Sequence, residues 1–123
     1  MKKAVIGILI ASFLYLDFQP AYAHAQIDLS VPKRNQVIAH LPRLVWIEFD
    51  GNLITIGDKD INRLFVTNSK NQRVDAGGTI VGGARISTKL KSGLIAGKYK
   101  VSYRVVSEDG HPVEGSFSFT YKP

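Results

Sequence analysis

The sequence predicts an all-β protein, a two-sheet sandwich of immunoglobulin-like type with about seven strands. Three observations carry that reading. Short runs rich in β-branched and aromatic residues recur from residue 26 to residue 121, several with apolar residues at every second position. Turn-forming pairs separate them: Asp50-Gly51, Asn68-Ser69, Gly77-Gly78, Gly82-Gly83 and Asp109-Gly110. No apolar stripe of helical period occurs in the same region. A small closed barrel is the second architecture compatible with this pattern.

The first predicted strand is Gln26 to Val31, with Ile27, Leu29 and Val31 on one face, and Pro32 ends it because proline cannot donate to a ladder. Leu44 to Phe49 follows; Val45, Ile47 and Phe49 are the better candidates for its core face, while Trp46, opposite them with Leu44 and Glu48, keeps the other face open. Further runs are Leu53 to Ile56, Arg63 to Thr67 and Thr79 to Ser87. In Gly97 to Val106, Tyr99, Val101 and Tyr103 alternate with Lys100, Ser102 and Arg104. The last run, Ser116 to Tyr121, repeats the period with Phe117, Phe119 and Tyr121. These aromatics are read as core or sheet residues.

Ahead of the strands stands a leader. Lys2 and Lys3 form a basic start, Ala4 to Leu16 an apolar run, and Ala21-Tyr22-Ala23 a small-x-small cleavage signal. The run is shorter than the roughly 20 apolar residues of a spanning helix, and Asp17 closes it. Residues 1–23 are therefore expected to be a cleaved signal peptide, and residues 24–123 one exported domain with no membrane anchor after cleavage. With no cysteine to acylate, a lipoprotein anchor is excluded. Cleavage beside Ala21 or Ala25 instead would change the first residue.

The chain has 123 residues, with 16 basic and 10 acidic side chains. The leader takes two and one of these, leaving 14 and 9, a formal charge of +5. The excess is scattered along the chain and is read as a solvated surface. Nucleic acid is excluded as a partner, since that would call for a concentrated basic stripe with interleaved aromatics. Without disulfides, core packing alone must hold the domain.

Cleavage after Ala23 makes His24 the first residue. Its α-amine, with an ordinary pKa near 7.7 to 8.0, offers a free base near neutral pH, and its Nδ1 lies a few bonds away. Both nitrogens can close one chelate ring on a metal. With a second imidazole and a carboxylate they form a nitrogen and oxygen set that suits Cu(II). Zinc accepts the same donors, although copper stands above it in the divalent series. Asp109 and His111, two apart, can converge from a strand end or turn, with Gly110 permitting a tight approach. The plainer reading of Asp109-Gly110-His111-Pro112 is a β-turn with a solvent-facing histidine. His40, in Ile38-Ala39-His40-Leu41-Pro42, has no acidic or imidazole neighbour in sequence and is read as an exposed loop residue.

The segment Gly97 to Phe119, which contains Ser107-Glu108-Asp109-Gly110-His111-Pro112, strongly resembles the C-terminal signature of CopC-type periplasmic copper-resistance proteins. His24-Ala25 followed by Ser30 and Pro32 resembles that family's mature N-terminus, and Val45 to Leu53 its second strand. The resemblance spans the mature chain and is weakest over residues 54 to 96. It implies a Greek-key β-sandwich that binds one Cu(II) ion per mature chain in the periplasm. The implied metal ligands are His24 through its amine and Nδ1, His111 and Asp109. Some members add a glutamate after the phenylalanine of the second strand; here Gly51 occupies that place, beside Asp50. Some also hold Cu(I) among methionines, but the only methionine here is Met1, and the absence of cysteine excludes a blue-copper thiolate.

The resemblance implies a monomeric copper carrier or buffer with no turnover. It would sequester copper or deliver it to an inner-membrane copper transporter or another periplasmic copper protein. Two other classes stay open: a histidine-brace oxidase resembling lytic polysaccharide monooxygenases, and a structural or adhesive immunoglobulin-like module.

Overall fold

A computed structural model describes residues 25–123; the predicted leader and His24 lie outside the described residues. Eight strands form two four-stranded sheets, an all-β sandwich as the sequence predicts. One sheet has β1 (Ile27–Val31), β3 (Leu44–Phe49), β6 (Arg85–Leu90) and β5 (Asp75–Gly82), side by side in that order. The other has β2 (Val37–Ile38), β8 (Pro112–Tyr121), β7 (Gly97–Val106) and β4 (Arg63–Thr67). All pairings are antiparallel except that of β2 with β8.

The core follows the alternation. Val45, Ile47 and Phe49 of β3 point inward and are almost fully buried, as predicted, against Leu64, Val66, Val101 and Phe119 of the second sheet. Phe49 meets Tyr103 edge-on across the layers, with ring centroids 5.6 Å apart, and Tyr99 stacks on Phe119 at 5.5 Å. Trp46, on the opposite face of β3, carries the Arg85 guanidinium over its ring at 3.8 Å.

The boundaries differ from the sequence reading in several places, and β8 begins at Pro112, four residues ahead of the predicted Ser116. Thr79 to Ser87 is not one strand but parts of the β5–β6 hairpin, which turns at Gly83, where φ is +61°. Leu53 to Ile56 is not a strand. Leu53 makes one bridge to Ser107 and Ile56 one to Lys59, because this segment passes from the end of one sheet to the other and finds no strand edge to lie along. The short strand β2 was not foreseen, since two residues cannot display a period.

Register also divides the charges along the sandwich axis. The end where β3 and β7 begin and β4, β6 and β8 finish carries Arg43, Lys70, Arg73, Lys89, Lys91, Lys98, Lys100 and Lys122. Its one acidic side chain among the described residues is Asp75, buried and bonded to Arg73. The opposite end carries Asp28, Glu48, Asp50, Asp58, Asp60, Glu108, Asp109 and Glu114, with Lys59, Arg63, Arg85 and Arg104 among them. A positive excess that is scattered in sequence is thus gathered at one pole by folding.

Candidate metal centre

The connection between β7 and β8 runs from Ser107 to His111 and brings the predicted pair together. Gly110 donates its N–H to the Ser107 carbonyl at 2.9 Å and has φ +77°, a left-handed conformation that glycine adopts without steric cost. Within this turn Asp109 Oδ1 accepts from the Ser107 hydroxyl and from the His111 backbone N–H, each at 3.0 Å. Asp109 Oδ2 lies 3.7 Å from His111 Nδ1. The Asp109 side chain is 14% exposed and that of His111 71%, so a sheltered carboxylate stands beside a reachable imidazole. Convergence comes from the turn rather than from extended alternation. The corner is thus the β-turn of the plainer reading, with His111 exposed beside the Asp109 carboxylate.

Several bonds fix the base of the turn. Leu53 bridges to Ser107, the Leu53 N–H donates to Gly83 at 2.9 Å, and the Ile54 N–H donates to Val106 at 2.8 Å. Buried Asn62 donates from Nδ2 to the Ile54 carbonyl at 2.7 Å and accepts from the Val106 N–H at 2.9 Å. Asn62 thereby clips the crossing segment to the last residue of β7. Sequence reasoning missed it, because an asparagine ahead of a strand carries no signal that distinguishes a clip from a turn.

The beginning of β1 lies at the same end of the sandwich. Ile27 pairs with Phe49, whose ring touches Tyr103. The Gln26 N–H donates to Asp50 Oδ1 at 3.0 Å and the Asp50 N–H returns a bond to the Gln26 carbonyl at 2.9 Å. Ala25 is 7% exposed and belongs to the core. The chain is therefore held firmly from the residue after His24 onward. Among the described residues no three histidine, cysteine or acidic side chains form a metal-holding cluster; Asp109 and His111 are a pair.

Other charged and histidine side chains have different surroundings. Glu48 sits on the outer face of β3 and takes the Arg85 guanidinium at 2.6 Å. Arg104 reaches Glu114 at 3.6 Å and donates to the Ile61 carbonyl, and no bond joins it to Glu108, which is exposed on the turn. His40 is exposed beyond β2.

Comparison with known proteins agrees with this architecture. The CopC domain family model matches residues 27–122. The chain is 31% identical over 123 residues to the copper transport protein CutJ of Bacillus subtilis, covering 98% of this chain but spanning 22% of that protein's length. It is 29% identical to copper resistance protein C of Escherichia coli, covering 83% of this chain and 84% of the relative. Among solved structures, CopC from Methylosinus trichosporium OB3b superposes with a TM-score of 0.70 at 26% identity, covering 81% of this chain and 95% of that one. PcoC from Escherichia coli, described as methionine rich, gives 0.67 at 26% identity, covering 81% and 100%. With the family model spanning both sheets and the β7–β8 turn, this chain belongs to the CopC domain family.

Proposed function

We propose that this protein is a copper-handling protein of the periplasm that binds one Cu(II) ion and sequesters it or passes it on, without catalytic turnover. Residues 1–23 direct export and are removed. His24 then offers its amine and Nδ1, His111 its imidazole and Asp109 its carboxylate, a nitrogen and oxygen set that suits Cu(II).

The observation that carries this reading is a shared end of the sandwich. The Asp109–His111 turn and the anchored start of the domain, Ala25 and Gln26, both lie there. The acidic bias of that end favours arrival of a cation. The relatives named for copper transport and copper resistance give the reading its metal. In contrast to methionine-rich PcoC, the single methionine of this chain is Met1, which argues for the oxidised ion alone. The ion's destination is an inner-membrane copper transporter or another periplasmic copper protein.

The test is a Cu(II) titration of the exported protein, followed by electron paramagnetic resonance, with mass spectrometry fixing the first residue. One equivalent of tetragonal copper with nitrogen hyperfine structure is expected. A variant with one added residue ahead of His24 should lose most of the affinity; unchanged binding would sink the chelate. Reductant-dependent oxidation of a substrate above the rate of free copper would instead indicate an enzyme.

A further inference from the structure

We infer that the basic pole, opposite the Asp109–His111 turn, docks on an anionic phospholipid bilayer. A groove of about 640 Å³ opens at this pole, with Leu41, Leu44 and Leu90 among its apolar lining and Arg43, Lys89 and Lys91 as its cations. No carboxylate lines it. The groove is a built feature: the Leu90 N–H donates to the Arg43 carbonyl at 3.2 Å, joining its two sides, and Lys91 Nζ donates to the Arg73 carbonyl at 3.2 Å.

Beside it, the connection from β6 to β7 presents Ile95, 78% exposed, and the Tyr99 hydroxyl donates to the Ile95 carbonyl and fixes that loop. Leu44 is a further 39% exposed at the groove. Aliphatic side chains held outward among lysines and an arginine form an amphipathic surface of the kind that lies in a bilayer interface. The aliphatics enter the headgroup boundary while the long cationic stems reach phosphate. Charge complementarity selects the anionic lipid, and the exposed aliphatics select a bilayer over a soluble polyanion. Docking this way leaves the Asp109–His111 turn facing water, because β3 separates its two ends by roughly 16 Å at about 3.3 Å per residue.

The experiment is co-sedimentation of the exported, processed protein with vesicles of phosphatidylcholine alone or mixed with phosphatidylglycerol. Binding is expected only to the mixed vesicles, and it should weaken with salt. Arg43→Gln, Lys89→Gln and Lys91→Gln should each lower it about fivefold. Ile95→Asp should lower it about tenfold. Lys59→Gln, at the opposite end, should leave it unchanged, and thermal unfolding checks that every variant is folded. Equal binding to both vesicles, or an equal loss in Lys59→Gln, overturns the proposal. So does indifference to Ile95→Asp with full competition by soluble polyglutamate, which would assign the pole to an acidic polypeptide.

Discussion

Asp50 and Gln26 are joined by two hydrogen bonds of opposite sense, the Gln26 N–H donating to the Asp50 carboxylate and the Asp50 N–H to the Gln26 carbonyl. The carboxylate thus fastens the start of β1 to the end of β3. That gives Asp50 a positioning role at the start of the described domain. Asp50→Ala should cost about 1 kcal/mol of stability. On the proposed His24 chelate, loosening the start of β1 should also weaken Cu(II) binding, by up to about tenfold. Urea unfolding and copper titration check the two effects separately.

Asp109 has a turn role and, on the proposed function, a ligand role, and substitution can separate the two. Asn at this position retains an oxygen for the Ser107 hydroxyl and the His111 N–H but lacks the charge; Ala loses both bonds. Asp109→Asn should therefore leave stability nearly unchanged, whereas Asp109→Ala should lose about 1–2 kcal/mol. Both should lower Cu(II) affinity by more than the roughly tenfold cost of losing an outer partner. Full copper affinity in Asp109→Asn would leave this residue with the turn alone.

Gly115 pairs with Tyr103 across β7 and β8, and a Cβ at Gly115 would overlap the Tyr103 phenol. The ring cannot simply move aside, since it also meets Phe49 edge-on. Gly115→Ala should destabilise by about 1–3 kcal/mol through overpacking. Against a Tyr103→Leu background the same change should cost much less, a coupling that a double-mutant cycle reads directly.

Asp75 supplies a pH dependence that is independent of the metal. Burial pushes its carboxyl pKa up, but hydrogen bonds from Arg73 and from the Val66 N–H more than offset this and hold it below the usual value. A carboxyl depressed in the folded state contributes stability that is present above its unfolded pKa of about 3.9 and is lost as pH falls through the lower folded value. Asp75→Asn should cost about 1–2 kcal/mol near neutral pH and should flatten the fall in stability below about pH 4. Urea midpoints measured across that range would decide it; an unchanged slope would mean that other carboxylates govern acid unfolding.

Long strands with a clear period were legible in the sequence. Val45, Ile47 and Phe49, or Tyr99 and Val101, reveal their face because each second residue must be apolar to close the core. The glycine pair at 82–83 signalled a hairpin that its apolar flanks disguised as one strand. What stayed hidden depends on contacts distant in sequence. Asn62 acts on Val106, Asp50 on Gln26, and the eight cations of the basic pole come from separate elements that only register aligns. The Asp109–His111 pair was legible because one turn builds it, and local geometry is what a short motif encodes.

The segregation of charge between the two ends gives the molecule a preferred orientation before it touches anything. At about 0.1 M salt a negatively charged plane is felt over roughly 10 Å, so a molecule tumbling toward it is turned basic end first. Near 1 M salt that range shrinks to about 3 Å and approach becomes indifferent to orientation. Ionic strength thereby sets how strongly the basic end is favoured to lead the encounter, independently of how tightly either end finally binds.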